Sequence, residues 1–216
     1  MTVPRTTSIA RLSEAAAGCR MCELYQDAEQ TVFGEGPRGA AIMLVGEQPG
    51  DIEDQRGHAF VGPAGHMLDR VLEEAGLVRD ELYLTNAVKH FRWKPAPRGK
   101  RRLHQKPGAT HINACQPWLA AELRAVRPQV VVALGAVAGQ ALFGSSFSVT
   151  RSRGEPLPWP PPSGHFTDSR LAIGNGFATI HPSAILRGPD EQRRELRQGM
   201  VADLAAVREL VGKGSG

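Results

Sequence analysis

The chain is short of features that mark several large protein classes. No apolar run approaches the roughly 18 residues of a membrane helix. The start, "MTVPRTTSIARLSEAAAGCRMC", has no apolar core of the length a secretory signal uses. A cytoplasmic protein with no membrane partner is therefore expected. Cysteine is scarce: Cys19, Cys22 and Cys115 are all there is. An odd count without a signal argues against a disulfide framework. The Gly-Lys-Ser/Thr of a Walker loop is missing, and so is Gly-x-Gly-x-x-Gly spacing, so no nucleotide cofactor is expected. No internal repeat is present.

What is there fits one globular domain spanning residues 1–216. It has an N-terminal Cys-x-x-Cys segment and a Gly/Ser end, "GKGSG", expected to fray. A chain of 216 residues, 41% hydrophobic, can bury a sound core without staples. The net charge of +4 suits a polyanion partner without requiring one. A monomer is expected.

Apolar runs predict strands at 41–46 ("AIMLVG"), 82–88 ("LYLTNAV"), 129–135 ("QVVVALG") and 177–183 ("FATIHPS"). Helical periodicity appears in "GPAGHMLDRVLEEAG", where Met67, Leu68, Val71, Leu72 and Ala75 share a face. It recurs in "QPWLAAELRAVRP" and from Asp190 to Val211. The Pro-rich stretch 155–164, "EPLPWPPPSG", excludes regular structure. Strand and helix alternate four times, which predicts an α/β sandwich with a mostly parallel sheet. Ligands of such folds bind beyond the carboxyl ends of the strands. Glu47 and Gln48 follow the first strand, Asn86 stands near the end of the second and His181 follows the fourth.

Cys19 and Cys22 could seed a zinc or iron–sulfur site completed by Cys115 and His90, or all three thiols could be free. The segment "GEQPGDIEDQRGHAFVGPAG" (46–65) is Gly-rich and acidic, follows a strand and opens a helix. Gly46, Pro49 and Gly50 form a tight turn that can aim Glu47 and Gln48 into a cleft. His58, His66, His111 and His165 read as ordinary polar residues. Trp93, Trp118 and Trp159 read equally as packing or as base-stacking platforms. The stretch "RGKRRLHQKPG" (98–108) carries five cations and one imidazole, His104, which a solvated basic loop does not need.

Together these pieces resemble the iron–sulfur branch of the uracil-DNA glycosylase superfamily. "GEQPGD" looks like its first motif, "HPSAILR" like its second, and "TNAVK" with Cys19, Cys22 and Cys115 matches the strand-two and cluster elements. Two departures match the UdgX-type subgroup: His90 where the usual pattern has Cys, and the basic insertion "KRRLH", which usually reads KRRIH. The resemblance implies a three-layer sandwich around a four-stranded parallel sheet. It also implies a structural [4Fe–4S] cluster on Cys19, Cys22, His90 and Cys115. The implied activity is uracil excision from DNA, favouring single strands, followed by a covalent bond between His104 and C1′ of the abasic sugar.

The residues suit that chemistry. Asn86 can donate to uracil O4 and accept from N3–H, Phe60 can stack on the flipped base, and His181 can donate to O2 as negative charge develops. Gln48 can help hold the base. Asp51 is the carboxylate placed to activate a water. Glu47 can fix the tautomer of a nucleophilic His104. Lys100, Arg101 and Arg102 would hold the loop on phosphates. Two other readings stay open. One is a multiple-turnover glycosylase in which His104 is a bystander. The other is a non-enzymatic iron–sulfur protein that binds single-stranded DNA.

Overall fold

The computed structural model describes residues 2–99, 101–167, 171 and 173–213. The helices are α1 (Ile9–Ala17), α2 (Asp51–Arg56), α3 (Pro63–Glu74), α4 (Ala109–Val126), α5 (Ala136–Phe143), α6 (Val149–Ser152), α7 (Pro182–Ile185) and α8 (Asp190–Lys213). The strands are β1 (Ile42–Gly46), β2 (Tyr83–Asn86), β3 (Trp93–Pro95), β4 (Arg102–His104), β5 (Val130–Leu134) and β6 (Asn175–Thr179).

Four strands form a parallel sheet in the order β2-β1-β5-β6. Their apolar runs are continuous because both faces are covered. Ile42 and Leu44 of β1, with Val130, Val132 and Leu134 of β5, face a core shared with Leu68, Val71 and Leu72 of α3 and Met200, Leu204 and Val207 of α8. The alternate residues Met43, Val45, Val131 and Ala133 face Leu119, Leu123 and Val126 of α4 and Ala138 and Leu142 of α5. Helix α1 packs outside α4 through Leu12, Ala16, Trp118 and Ala121. Among the described residues no helix is long and apolar enough to cross a membrane.

Several boundaries differ from the sequence expectation. The fourth strand is Asn175–Thr179 rather than 177–183, because Pro182 opens α7 with His181 as its N-cap. Helix α4 begins at Ala109, not at Gln116, and carries Pro117 inside it. The basic stretch is not a bare loop. Strands β3 and β4 pair antiparallel with Trp93 opposite His104, so His104 stands on a strand at the root of a hairpin rather than at a loop tip. Of the expected frayed end, residues 214–216 lie outside the described residues, and α8 runs through Lys213.

The strand order reverses direction at β1, which has β2 on one side and β5 on the other. The carboxyl ends of the four strands therefore surround one crevice.

Candidate active site

Gly46 closes β1 directly beside Asn86, the last residue of β2. A Cβ on Gly46 would overlap Asn86 Oδ1 and lie 2.6 Å from Cζ of Phe60. Glycine is thus the residue that lets the amide and the ring converge. Phe60 is buried and adopts a left-handed backbone at φ 55°, a conformation costly for a bulky side chain. Arg79 Nη2 secures it by donating to the carbonyls of Ala59 and Phe60 at 3.0 and 3.2 Å. The Phe60 ring lies 6.4 Å from that of His181, tilted 31°.

His181 is oriented by the turn that follows it. Its Nδ1 accepts from the Ser183 amide at 3.2 Å and stands 2.9 Å from the Ser183 hydroxyl. An accepting Nδ1 leaves the ring proton on Nε2. Burial pushes the His181 pKa from 6.5 down to about 4, against the opposing pull of Glu47 and with help from His104 and Arg187. The ring is a neutral donor, which suits an anion forming on a leaving base. Gly135, at φ 91°, allows this close approach, since a Cβ there would sit 2.9 Å from His181 Cβ.

Glu47 joins the two histidines. Its Oε1 lies 3.3 Å from His104 Nε2, yet meets no donor in hydrogen-bonding geometry among the described residues. The imidazole of His104 is half exposed and packs 6.1 Å from the Phe91 ring. The structure therefore brings together Glu47, Phe60, Asn86, His104 and His181.

Three expected roles meet a different geometry. Gln48 does not face the crevice. Its Nε2 donates to the carbonyls of Arg92 and Gln105 at 3.1 Å each, and its Oε1 accepts from the Arg92 amide at 3.2 Å. Its amide clamps both roots of the hairpin. Asp51 is not free to activate water, because Arg102 Nε donates to its Oδ1 and Gln55 Nε2 to its Oδ2. Arg102 does not face solvent. Its side chain is 12% exposed, and it also binds Asp54 Oδ2 at 2.7 Å and Glu29 Oε1 at 3.2 Å. It lies between the rings of Phe91 and Trp93, 5.5 Å from each centroid. A guanidinium answered by three carboxylates is an internal pin, not a free phosphate contact. Arg101 is exposed, and Lys100 lies outside the described residues.

On the far side of β2, Cys22 starts the turn after α1, Cys115 stands on α4 and His90 follows β2. Cys19, Cys115 and His90 are buried. Cys22 and Cys115 interact directly. The Cys115 thiol and the nearby His90 hold Cys22 low, whereas Cys22 and burial hold Cys115 high. Trp118 Nε1 donates to Cys19 Sγ at 3.2 Å. Cys19 and His90 both line a cavity of about 180 Å³. Among the described residues no three such side chains already converge on one point. The donor chemistry nevertheless fits a thiophilic metal group: three thiols, one a ready thiolate, and a buried His90 Nδ1 with no hydrogen-bond partner among the described residues.

Sequence reasoning missed the link between these two regions. Lys89 and Glu122 are wholly buried. Lys89 Nζ donates to Thr85 Oγ1, to the Asn86 carbonyl and to Glu122, and Glu122 Oε1 accepts from Gly34 N, Tyr83 and Thr85. This network underlies Asn86 on one side and precedes His90 on the other. Its sequence signal was slight: Lys89 directly after the apolar pair Ala87 and Val88.

Residues 33–205 match the family described as the Uracil DNA glycosylase superfamily. The chain is 33% identical over 208 residues to the Type-4 uracil-DNA glycosylase of Sulfurisphaera tokodaii, covering 94% of this chain and 84% of that one. It is 32% identical over 203 residues to that of Thermotoga maritima, covering 94% of each. A Type-4 uracil-DNA glycosylase of Archaeoglobus fulgidus is 32% identical over 202 residues, 90% of this chain and 89% of that one.

Proposed function

Because the chain belongs to the uracil DNA glycosylase superfamily, we propose that it excises uracil from DNA and that His104 then bonds to the sugar left behind. The family and the relatives' names support the first half. The position of His104, half exposed at the crevice and 3.3 Å from Glu47, carries the second.

Uracil enters the crevice as a flipped base, stacks on Phe60 and is read by Asn86. The C1′–N1 bond breaks with its electron pair passing to the base, and neutral His181 donates through Nε2–H to O2 as charge gathers there. The sugar becomes an electron-poor cation. A lone pair of the His104 imidazole forms the C1′–N bond in place of water. The ring then loses its proton, the departing base gains one, and Glu47 stabilises the imidazolium between these events. Arg101, exposed on the hairpin, contacts phosphate. Cys19, Cys22, His90 and Cys115 would hold an iron–sulfur cluster, which contributes folding energy to the segments it joins.

Protein is mixed with uracil-containing single-stranded DNA and resolved on a denaturing gel. A detergent-stable adduct whose mass equals protein plus DNA minus uracil is expected, and His104→Ser should lose it. The alternative reading is conventional turnover that releases abasic DNA, with His104 a bystander. Free uracil in molar excess over protein, with no adduct, establishes that reading. DNA binding without uracil release would point instead to a non-enzymatic binder.

A further inference from the structure

We propose that Thr31 decides which nitrogen of His90 is offered to the cluster: its hydroxyl holds Nε2 as the proton-bearing nitrogen, so that Nδ1 is the ligand. The proposal rests on the cluster assignment above and adds to it a residue and an atom.

Thr31 Oγ1 lies 2.9 Å from His90 Nε2. His90 Nδ1 is buried and has no hydrogen-bond partner among the described residues. A neutral imidazole carries one donor and one acceptor nitrogen. A ligating nitrogen must present its lone pair, so the other must hold the proton and find an acceptor. The Thr31 hydroxyl is such an acceptor. A buried nitrogen left without a partner is costly, and bonding to a metal removes that cost. The ring stands beside Cys22, itself a candidate ligand. The backbone fixes the Thr31–His90 pairing independently of either side chain: the amide of Val32, next to Thr31, donates to the carbonyl of Lys89, next to His90, at 2.8 Å. Thr31 is thus a positioning residue acting through His90.

The test uses the whole protein as purified, with its cluster reduced to a paramagnetic state. Two samples are grown on histidine carrying nitrogen-15 at only Nδ1 or only Nε2, and pulsed electron paramagnetic resonance reads which label is strongly coupled to the cluster spin. Strong coupling in the Nδ1-labelled sample is expected. Thr31→Val should speed iron loss to a chelator by about 10- to 100-fold, the usual cost of removing a partner of a metal ligand. Thr31→Ser, which keeps the hydroxyl, should restore the wild-type rate. Strong coupling from Nε2, or a Thr31→Val protein identical to wild type in chelation rate and resonance, overturns the proposal while leaving the cluster in place. A cluster coupled to neither nitrogen does the same. Colourless, iron-free protein overturns the cluster assignment and this proposal together.

Discussion

Replacing Arg102 by alanine separates docking on DNA from holding the hairpin, two jobs that a basic stretch can do. The buried partner decides the magnitude. Asp54 has a side chain with no exposure, whereas Asp51 and Glu29 are 44% and 55% exposed. Breaking a buried ion pair from one side costs about 3–5 kcal/mol, and exposed pairs contribute about 1 kcal/mol or less. Asp54 keeps the Glu29 amide as a donor to both oxygens, which places the loss near the lower end, at about 3 kcal/mol. At about 1.4 kcal/mol per decade, that shifts the hairpin roughly a hundredfold away from its docked position. The cost falls on the hairpin because β3 and β4 share only three residue pairs. Adduct formation should therefore slow by roughly a hundredfold. Uracil release should change little, since Phe60, Asn86 and His181 stand on other elements. Time courses of adduct and free uracil, repeated across salt concentrations, read both quantities. Arg101→Ala should flatten the salt dependence, as loss of a phosphate contact does; Arg102→Ala should leave the slope unchanged. Equal flattening by the two variants, or a wild-type adduct rate for Arg102→Ala, would refute the assignment of Arg102 as an internal pin.

Gly46→Ala should abolish uracil release while leaving iron content unchanged, because the new methyl group displaces Asn86 and Phe60; the strain costs about 1–3 kcal/mol on chemical denaturation, and normal release would show that the pocket lies elsewhere. His181 titrates at about 4 when folded and near 6.5 when unfolded, so the unfolded chain binds the extra proton first. Its contribution to stability is complete above about 6.5 and is lost as pH falls towards 4. His181→Asn should remove up to about 3 kcal/mol of that pH dependence, and an unchanged stability–pH curve would show that the ring is not buried neutral. Lys89→Met should cost about 3–5 kcal/mol by stranding Glu122, with much of the loss recovered in Lys89→Met/Glu122→Leu; a single variant as stable as wild type would rule out a buried charge pair.

The central strands were legible because burial on both faces writes a continuous apolar run, as in Ile42–Val45 and Val130–Leu134. The fourth was misplaced because Asn175 and Gly176 look like turn residues and Ile180 prolongs the apolar run past the strand's end. Pro117 concealed the first two turns of α4. The hairpin was invisible because Pro95, Pro97 and Gly99 read locally as loop, and what holds it, Gln48 and the carboxylates Asp51 and Asp54 that bind Arg102, reaches it from 44 to 57 positions away in the chain. Residues at or just beyond strand ends, Glu47, Asn86 and His181, could be placed from topology alone. Gln48, Asp51 and Arg102 could not, since a polar side chain announces its chemistry but not whether it turns towards a ligand or towards its own protein.

The hairpin joins β2 to α4 without adding a strand to the central sheet. It behaves as an accessory bolted onto a finished chassis. On the proposed capture, losing His104 by a point change would disarm it and leave Phe60, Asn86 and His181 in place. Acquiring it is harder: an ancestor would need the ribbon together with Gln48 and the anchoring carboxylates Glu29, Asp51 and Asp54, drawn from two other stretches of chain. Transplanting residues 92–105 alone into a related scaffold should yield a dangling ribbon, whereas moving the ribbon with its four anchors should carry the His104 imidazole into place.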